Sequence, residues 1–398
     1  MAISRRINRL GSGVFHRNDI RKQAYRLERT SRNLPPLLDL SLGSTDILPP
    51  DSVLDVIKEN IHNPESTSYC LHSGTRPLRE AVSAWAVKRF GINVDPETEV
   101  LILVGSQEGT AHLPIAVMNP GEKGLILDPS YPSHRGGLVL ADAQVERLRL
   151  KEEDGWKPDF FKLTKSQLDE LKIIVFGFPH NPTSQVGDQS WLDAAMKCGL
   201  DHKVVIAHDN PYVDLSLEGQ SPALLQCDGW REWGIEFFSF SKAWCLGGFR
   251  LAFAIGASNL ISALRQVKSV VDFNQSVALQ MGAIEALSSY ASWPNHIVDI
   301  YRQRRDRTIN ALSGLGWEIP IPSMAMYLWM PLPNWAKSRG WNDERLSADL
   351  LNQTGIALTP GSGFGIGGTN WLRLALVRPA DELEAAAALI RPWWNAYS

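Results

Sequence analysis

FSFSKAWCLGGFR, residues 238–250, decides how the rest of the chain is read. An apolar run carries Ser239, ends at Lys242 and is followed by a Gly-Gly pair and Arg250. A solvated turn is the ordinary setting for a lysine. Two cations around a glycine-rich turn at the mouth of a buried strand gain another meaning if other strands deliver matching chemistry to the same edge.

Other strands do. Short apolar runs at 101–105, 124–128, 145–150, 173–179, 204–209, 235–241 and 251–256 alternate with helix-like stretches. Several are apolar on both faces, as in a sheet covered by helices. The pattern reads as an α/β fold with a mostly parallel seven-stranded sheet. Ligands of such sheets sit beyond the carboxyl ends of the strands. GSQEG (105–109) follows LILV and opens a helix whose first N–H groups suit an anion. DPSYP (128–132) places Tyr131, PHNPT (179–183) places Asn181 on a turn, and HDNPY (208–212) delivers Asp209 and Tyr212. Singly these are a helix cap, a turn, packing and a surface ion pair. Jointly they send an anion site, an amide, a carboxylate, a phenol, a lysine and an arginine to one edge. Pyridoxal phosphate needs such a set: a lysine to hold it as a Schiff base, a carboxylate facing its ring nitrogen, and donors to its ring oxygen. It also needs an aromatic face and an arginine with N–H groups for the phosphate.

Composition narrows the alternatives. The chain has 398 residues, is 44% apolar and carries a formal net charge of −3 without long basic runs. Nucleic acid and membrane surfaces are therefore not expected partners. The basic N-terminus, MAISRRINRLGSGVFHRN, lacks the apolar core of a secretory signal and reads as an arm packed on the protein or on a partner subunit. Cys70, Cys198, Cys227 and Cys245 form no CxxC pair, which fits a reducing cytoplasm and gives no metal site. The last hundred residues read as a smaller α+β unit: a helix near 283–315, MAMYLWMPLP (324–333), IALTP (356–360), a glycine-rich loop, WLRLALV (371–377) and a helix from Asp381. The expected division is an N-terminal arm with part of the small domain (1–45), a large cofactor domain (46–290) and a small C-terminal domain (291–398).

The chain resembles the class I/II aminotransferases, pyridoxal-phosphate enzymes of fold type I, from about residue 38 to its end. SFSK with GGFR, NPT, D-x-x-Y, and PGSGFGIGG ahead of WLR stand in the family's order. HDNPYVDL and GIEFFSFSK are most similar to the LL-diaminopimelate aminotransferase branch. The resemblance implies that Lys242 forms the Schiff base and moves the proton, and that Asp209 pairs with the ring nitrogen. It implies that Asn181 and Tyr212 donate to the ring oxygen and that Tyr131 stacks on the ring. Ser106, Gln107 and Glu108 (the last two through backbone N–H), Ser239 and Arg250 would surround the phosphate. Arg373 would take the substrate carboxylate, and Gly43 would line the substrate side. Tyr69 resembles the tyrosine that reaches the neighbouring subunit's phosphate, so a homodimer with shared sites is implied. The implied activity is ping-pong transamination between an L-amino acid and a 2-oxo acid.

Departures are Ser41 where a glycine is usual, Thr45 where a proline is usual, Ile47 as an apparent insertion, and Ala243 for a common threonine. Gly363, Gly365 and Gly368 spell GxGxxG, but strand-like WLRLALV follows, so the dinucleotide reading is rejected. A lyase or decarboxylase on the same fold, or a non-catalytic cofactor-binding protein, stays open as an alternative. Lys268, Arg265 and His134 are candidates for a second substrate-binding cation.

Overall fold

Apart from the rim strand 144–149, the apolar runs have almost no polar alternation, and such runs are stable only as strands covered on both faces. In the computed structural model, which describes residues 3–289, 292–324 and 326–398, they form the sheet that carries the site. After a short β1 (Leu38–Asp39), its strands are β2 (Val100–Val104), β3 (Lys123–Asp128), β4 (Gln144–Arg149), β5 (Leu171–Phe176), β6 (Val205–Asp209), β7 (Gly234–Ser239) and β8 (Leu251–Gly256). Their order across the sheet is β2-β8-β7-β6-β5-β3-β4. Only β8 runs antiparallel to its neighbours. β4, QVERLR, is an edge strand whose exposed charges protect it from pairing with other chains.

Helices close both faces. Leu113 of helix Ser106–Val117 and Leu260 and Leu264 of helix Ser258–Val271 pack with Leu101, Ile126 and Ala252. On the other face Trp85, from helix Arg76–Phe90, meets Phe238 and Phe253 edge-on, with centroids 5.0 and 5.3 Å away. The fold is thus α/β, with the mostly parallel seven-stranded sheet expected from the sequence.

The C-terminal strands are β9 (Tyr327–Pro331), β10 (Ile356–Ala357), β11 (Thr359–Pro360) and β12 (Trp371–Ala375). β11, β12 and β9 form an antiparallel sheet, whereas β10 pairs in parallel with β1. IALTP is thus split between two sheets. The Asn18 and Ser347 side chains both donate to the Leu358 carbonyl, which takes that group out of either ladder. The glycine-rich loop makes two short 3-10 turns and enters β12 with no helix between. A Cβ on Gly367 would lie 2.4 Å from Asp128 O, so this glycine serves close packing on the end of β3.

The N-terminal arm folds as α1 (Arg5–Leu10) and α2 (Val14–Glu28) on its own chain. Arg9 pairs with Asp142 at 2.8 Å, and Lys22 with Asp39 at 2.8 Å. The boundary expected at 290/291 and Ala325 of the 324–333 stretch lie outside the described residues.

Candidate active site

The carboxyl ends of β2, β5, β6 and β7 open into a cleft of about 810 Å³, counted with its mouth. Ser106, Gln107, Tyr131, Asn181, Asp209, Tyr212, Ser239, Lys242, Arg250, Gly43 and Arg373 all line it. Eleven residues that the sequence singled out thus converge from separate segments.

β6 sets the floor. Asp209, its last residue, is buried; Oδ2 lies 3.1 Å from His134 Nε2, and Oδ1 has no hydrogen-bond partner among the described residues. Beside it runs a chain of polar contacts. Arg373 Nη1 donates to Asn181 Oδ1 at 2.8 Å, Asn181 Nδ2 donates to Tyr212 Oη at 3.2 Å, and Tyr212 Oη stands 3.1 Å from Tyr327 Oη. Arg373 Nη2 donates to Ser41 O, and its Nε is buried without a partner among the described residues. Lys242 Nζ donates to Gly43 O at 2.5 Å and lies 5.9 Å from the Tyr212 ring centroid.

The anion end is built on the turn after β2. Gly105, at φ +83°, caps helix Ser106–Val117, and a Cβ there would lie 2.1 Å from Arg250 Nη2. Arg250 itself sits in the left-handed region at φ +56°, uncommon for a side-chain-bearing residue and a mark of functional sites. Its Nη1 donates to Gly247 O at 3.0 Å.

Some residues sit elsewhere. Glu108 does not line the cleft: its N–H donates to Gly105 O at 3.1 Å, and its carboxylate caps Val104 N and pairs with Lys268 at 2.9 Å. Burial opposes charge on Glu108, yet the His112 contact, the Lys268 charge and the Val104 N–H together hold its carboxyl below the usual range. Lys268 is fully buried between Glu108 and Asp272, so it is no cation for substrate. Arg265 donates to Glu97 O, also away from the cleft. His134 lines the cleft as the partner of Asp209. Tyr69 is 85% exposed and packs its ring, tilted, against Phe273 with centroids 4.8 Å apart, outside this chain's cleft.

Sequence reasoning did not single out Phe15, Leu42, His180 and Tyr327, which also line the cleft. Burial, with the neighbouring His134, pushes His180 down to about 3, so its ring is neutral. Phe15, Tyr327 and Phe364 surround the Arg373 guanidinium, with ring centroids 5.4, 4.3 and 4.8 Å away. Among these only His180 had a local signal, its place in PHNPT.

Comparison with known proteins agrees with this geometry. Residues 35–390 match the family described as aminotransferase class I and II. An LL-diaminopimelate aminotransferase of Dehalococcoides mccartyi is 33% identical over 88% of this chain and 90% of its own. The glutamate-pyruvate aminotransferase AlaC of Escherichia coli is 31% identical over 98% and 93%. The solved structure of a probable N-succinyldiaminopimelate aminotransferase from Thermus thermophilus superposes with a TM-score of 0.87 at 36% identity, over 95% of this chain and 99% of that one. The fold and cleft define a pyridoxal-phosphate enzyme of fold type I. Within that class, the chain belongs to the class I and II aminotransferases, and its activity is transamination. The cleft residues fit the cofactor: the unpartnered buried oxygen of Asp209 suits a ring N–H, and Arg250 beside the helix start suits a phosphate.

Gly105→Ala forces a left-handed φ on alanine and drives its Cβ into the Arg250 guanidinium. With ψ at 149° the backbone lies in a region open essentially to glycine alone, so the backbone term costs about 1–3 kcal/mol. The expected result is at least a tenfold weaker affinity for pyridoxal phosphate, measured by fluorescence titration of the cofactor-free protein, with the fold retained by circular dichroism.

Proposed function

We propose that the cleft moves the amino group of an L-α-amino acid to a 2-oxo acid with Lys242, Asp209 and Tyr212 at its catalytic centre. The observation that carries this reading is that Lys242, the half-partnered Asp209 and Arg373 line one cleft. Bound cofactor supplies the electron sink that makes an amino acid Cα–H acidic. Lys242 would hold it covalently, and its amine would be the group that moves a proton at the substrate Cα. The Asp209 carboxylate keeps the ring nitrogen protonated, and His134 holds the other carboxylate oxygen. Asn181 and Tyr212 would donate to the ring oxygen, Tyr131 would cover the ring, and Ser106, Gln107, Ser239 and Arg250 would hold the phosphate. Arg373 binds the α-carboxylate while Asn181 and its aromatic surround fix the guanidinium. Gly43 leaves room at the substrate side and takes a hydrogen bond from Lys242.

The similar proteins differ in their named substrates, so we leave the donor at the level of an α-amino acid. We further propose a cytoplasmic homodimer. Free Cys70, Cys198, Cys227 and Cys245 support a reducing compartment, and no described helix is long and apolar enough to cross a membrane. Exposed Tyr69, Leu71, Val270, Val271 and Phe273 support an interface that brings Tyr69 to the partner's phosphate site.

Lys242→Ala is expected to abolish both turnover and the pH-sensitive visible absorption of the purified enzyme; retention of both would sink the assignment. Arg373→Leu is expected to keep that absorption and lower kcat/KM for α-amino acids by about a hundredfold or more, the usual cost of truncating a buried charged contact. Steady-state kinetics against a panel of amino acids and simple amines checks it, and equal losses on both would remove the carboxylate role. Mixing, unfolding and refolding Lys242→Ala with Tyr69→Asp chains tests the shared site. In the mixed dimer one site takes its lysine from one chain and its tyrosine from the other, so random pairing restores up to about a quarter of wild-type activity per chain. Mixed dimers without activity would confine Tyr69 to its own subunit.

A further inference from the structure

Tyr327, the first residue of β9, comes from the C-terminal sheet yet places its hydroxyl in the cleft. It is buried, and its ring meets the Tyr212 ring edge-on at 5.9 Å. Its approach depends on Gly43: a Cβ there would lie 1.9 Å from Tyr327 Oη. The same Gly43 accepts from Lys242 through its carbonyl, so the phenol and the lysine flank one residue.

The need to satisfy each buried proton assigns the direction of the phenol pair. Tyr212 Oη is the one side-chain hydrogen-bond partner of Tyr327 Oη among the described residues. Tyr212 has a single proton, and the role proposed for it spends that proton on the ring oxygen, so Tyr327 has to be the donor of the 3.1 Å contact. Tyr212 Oη then accepts twice, from Asn181 Nδ2 and from Tyr327 Oη, which fills both lone pairs. Its own proton has to point into the cleft. The titratable and charged groups around this pair and Lys242 are Arg373 from β12, Asp209 from β6, Arg250 after β7, Tyr131, Tyr301 and Cys245.

We infer that Tyr327 is a positioning residue: by donating to Tyr212 it aims the Tyr212 hydroxyl at the cofactor ring oxygen and so sets the proton affinity of the Lys242–cofactor linkage. The inference rests on the roles proposed above for Lys242 and Tyr212. A phenol that accepts two hydrogen bonds is a stronger donor through its own proton. Stronger donation stabilises negative charge on the ring oxygen, which weakens the hold on the nearby proton of the linkage.

The test is Tyr327→Phe, which keeps the ring, its edge contact with Tyr212 and its face under Arg373. The pH at which the bound cofactor's visible spectrum titrates is expected to rise by about half a unit or more, and the kcat profile is expected to move with it. In a Tyr212→Phe background the same substitution is expected to add no further shift, because the two act in series. An unshifted spectrum in Tyr327→Phe would overturn the inference, as would an equal shift in the Tyr212→Phe background. Gly43→Ala, which excludes the hydroxyl from its place, gives the same readout if Tyr327→Phe fails to fold. A wild-type enzyme without a pH-dependent visible band would remove the Lys242 reading and the inference with it. A titrating wild type beside an unshifted variant removes the inference alone.

Discussion

A buried carboxylate with one oxygen lacking a partner among the described residues governs this cleft. Desolvating Asp209 is costly, and His134 offsets part of that cost at Oδ2 alone. An isolated strand end would relieve that cost by turning the side chain toward water. β6 prevents it. Strand alternation puts His208 and Asn210 on the face opposite Asp209, and both are clamped there by Glu236 of β7. Phe178 N donates to His208 Nε2, so the His208 proton sits on Nδ1 and goes to Glu236 Oε1 at 2.8 Å. Leu225 N satisfies the other Glu236 oxygen. The unmet oxygen of Asp209 is thus held in place by clamped neighbours one residue away on either side.

The phosphate end uses the same logic with steric rather than polar means. Gly105 lets Arg250 lie against the helix start, and the Glu108–Lys268 pair fixes that start from behind. A buried ion pair contributes little net stability. Its place here argues for orientation: it ties helix Ser106–Val117 to helix Ser258–Val271 at the turn that faces the anion.

The parts legible in the sequence were those in which strand, turn and chemical group share one short window. SFSK, NPT, D-x-x-Y and GSQEG each announce a strand end and its cargo together, so the parallel sheet and seven cleft residues could be read directly, with Tyr131 and Arg250 from the neighbouring DPSYP and GGFR turns; Gly43 and Arg373 came only through the family resemblance. The missed parts come from contacts between distant segments. Phe15 sits in an arm whose composition marked it only as basic, and Tyr327 looked like any inward residue of an apolar strand. His134 was noticed for its charge, but only the fold shows that it faces Asp209. Glu108 shared the anion motif, yet its side chain and N–H are committed to starting the helix. The division of IALTP between two sheets was invisible because side chains from Asn18 and Ser347 make the break.

Gly43 and Tyr327 occupy a single volume although they stand near opposite ends of the chain. The hydroxyl of one takes the space that a side chain on the other would need. Substitutions at the two positions therefore cannot be accepted independently: a methyl gained at 43 has to be matched by atoms lost at 327. The space is shared rather than owned: a smaller residue in place of the phenol opens position 43, at the lip of the substrate cleft, to side chains that the phenol now forbids.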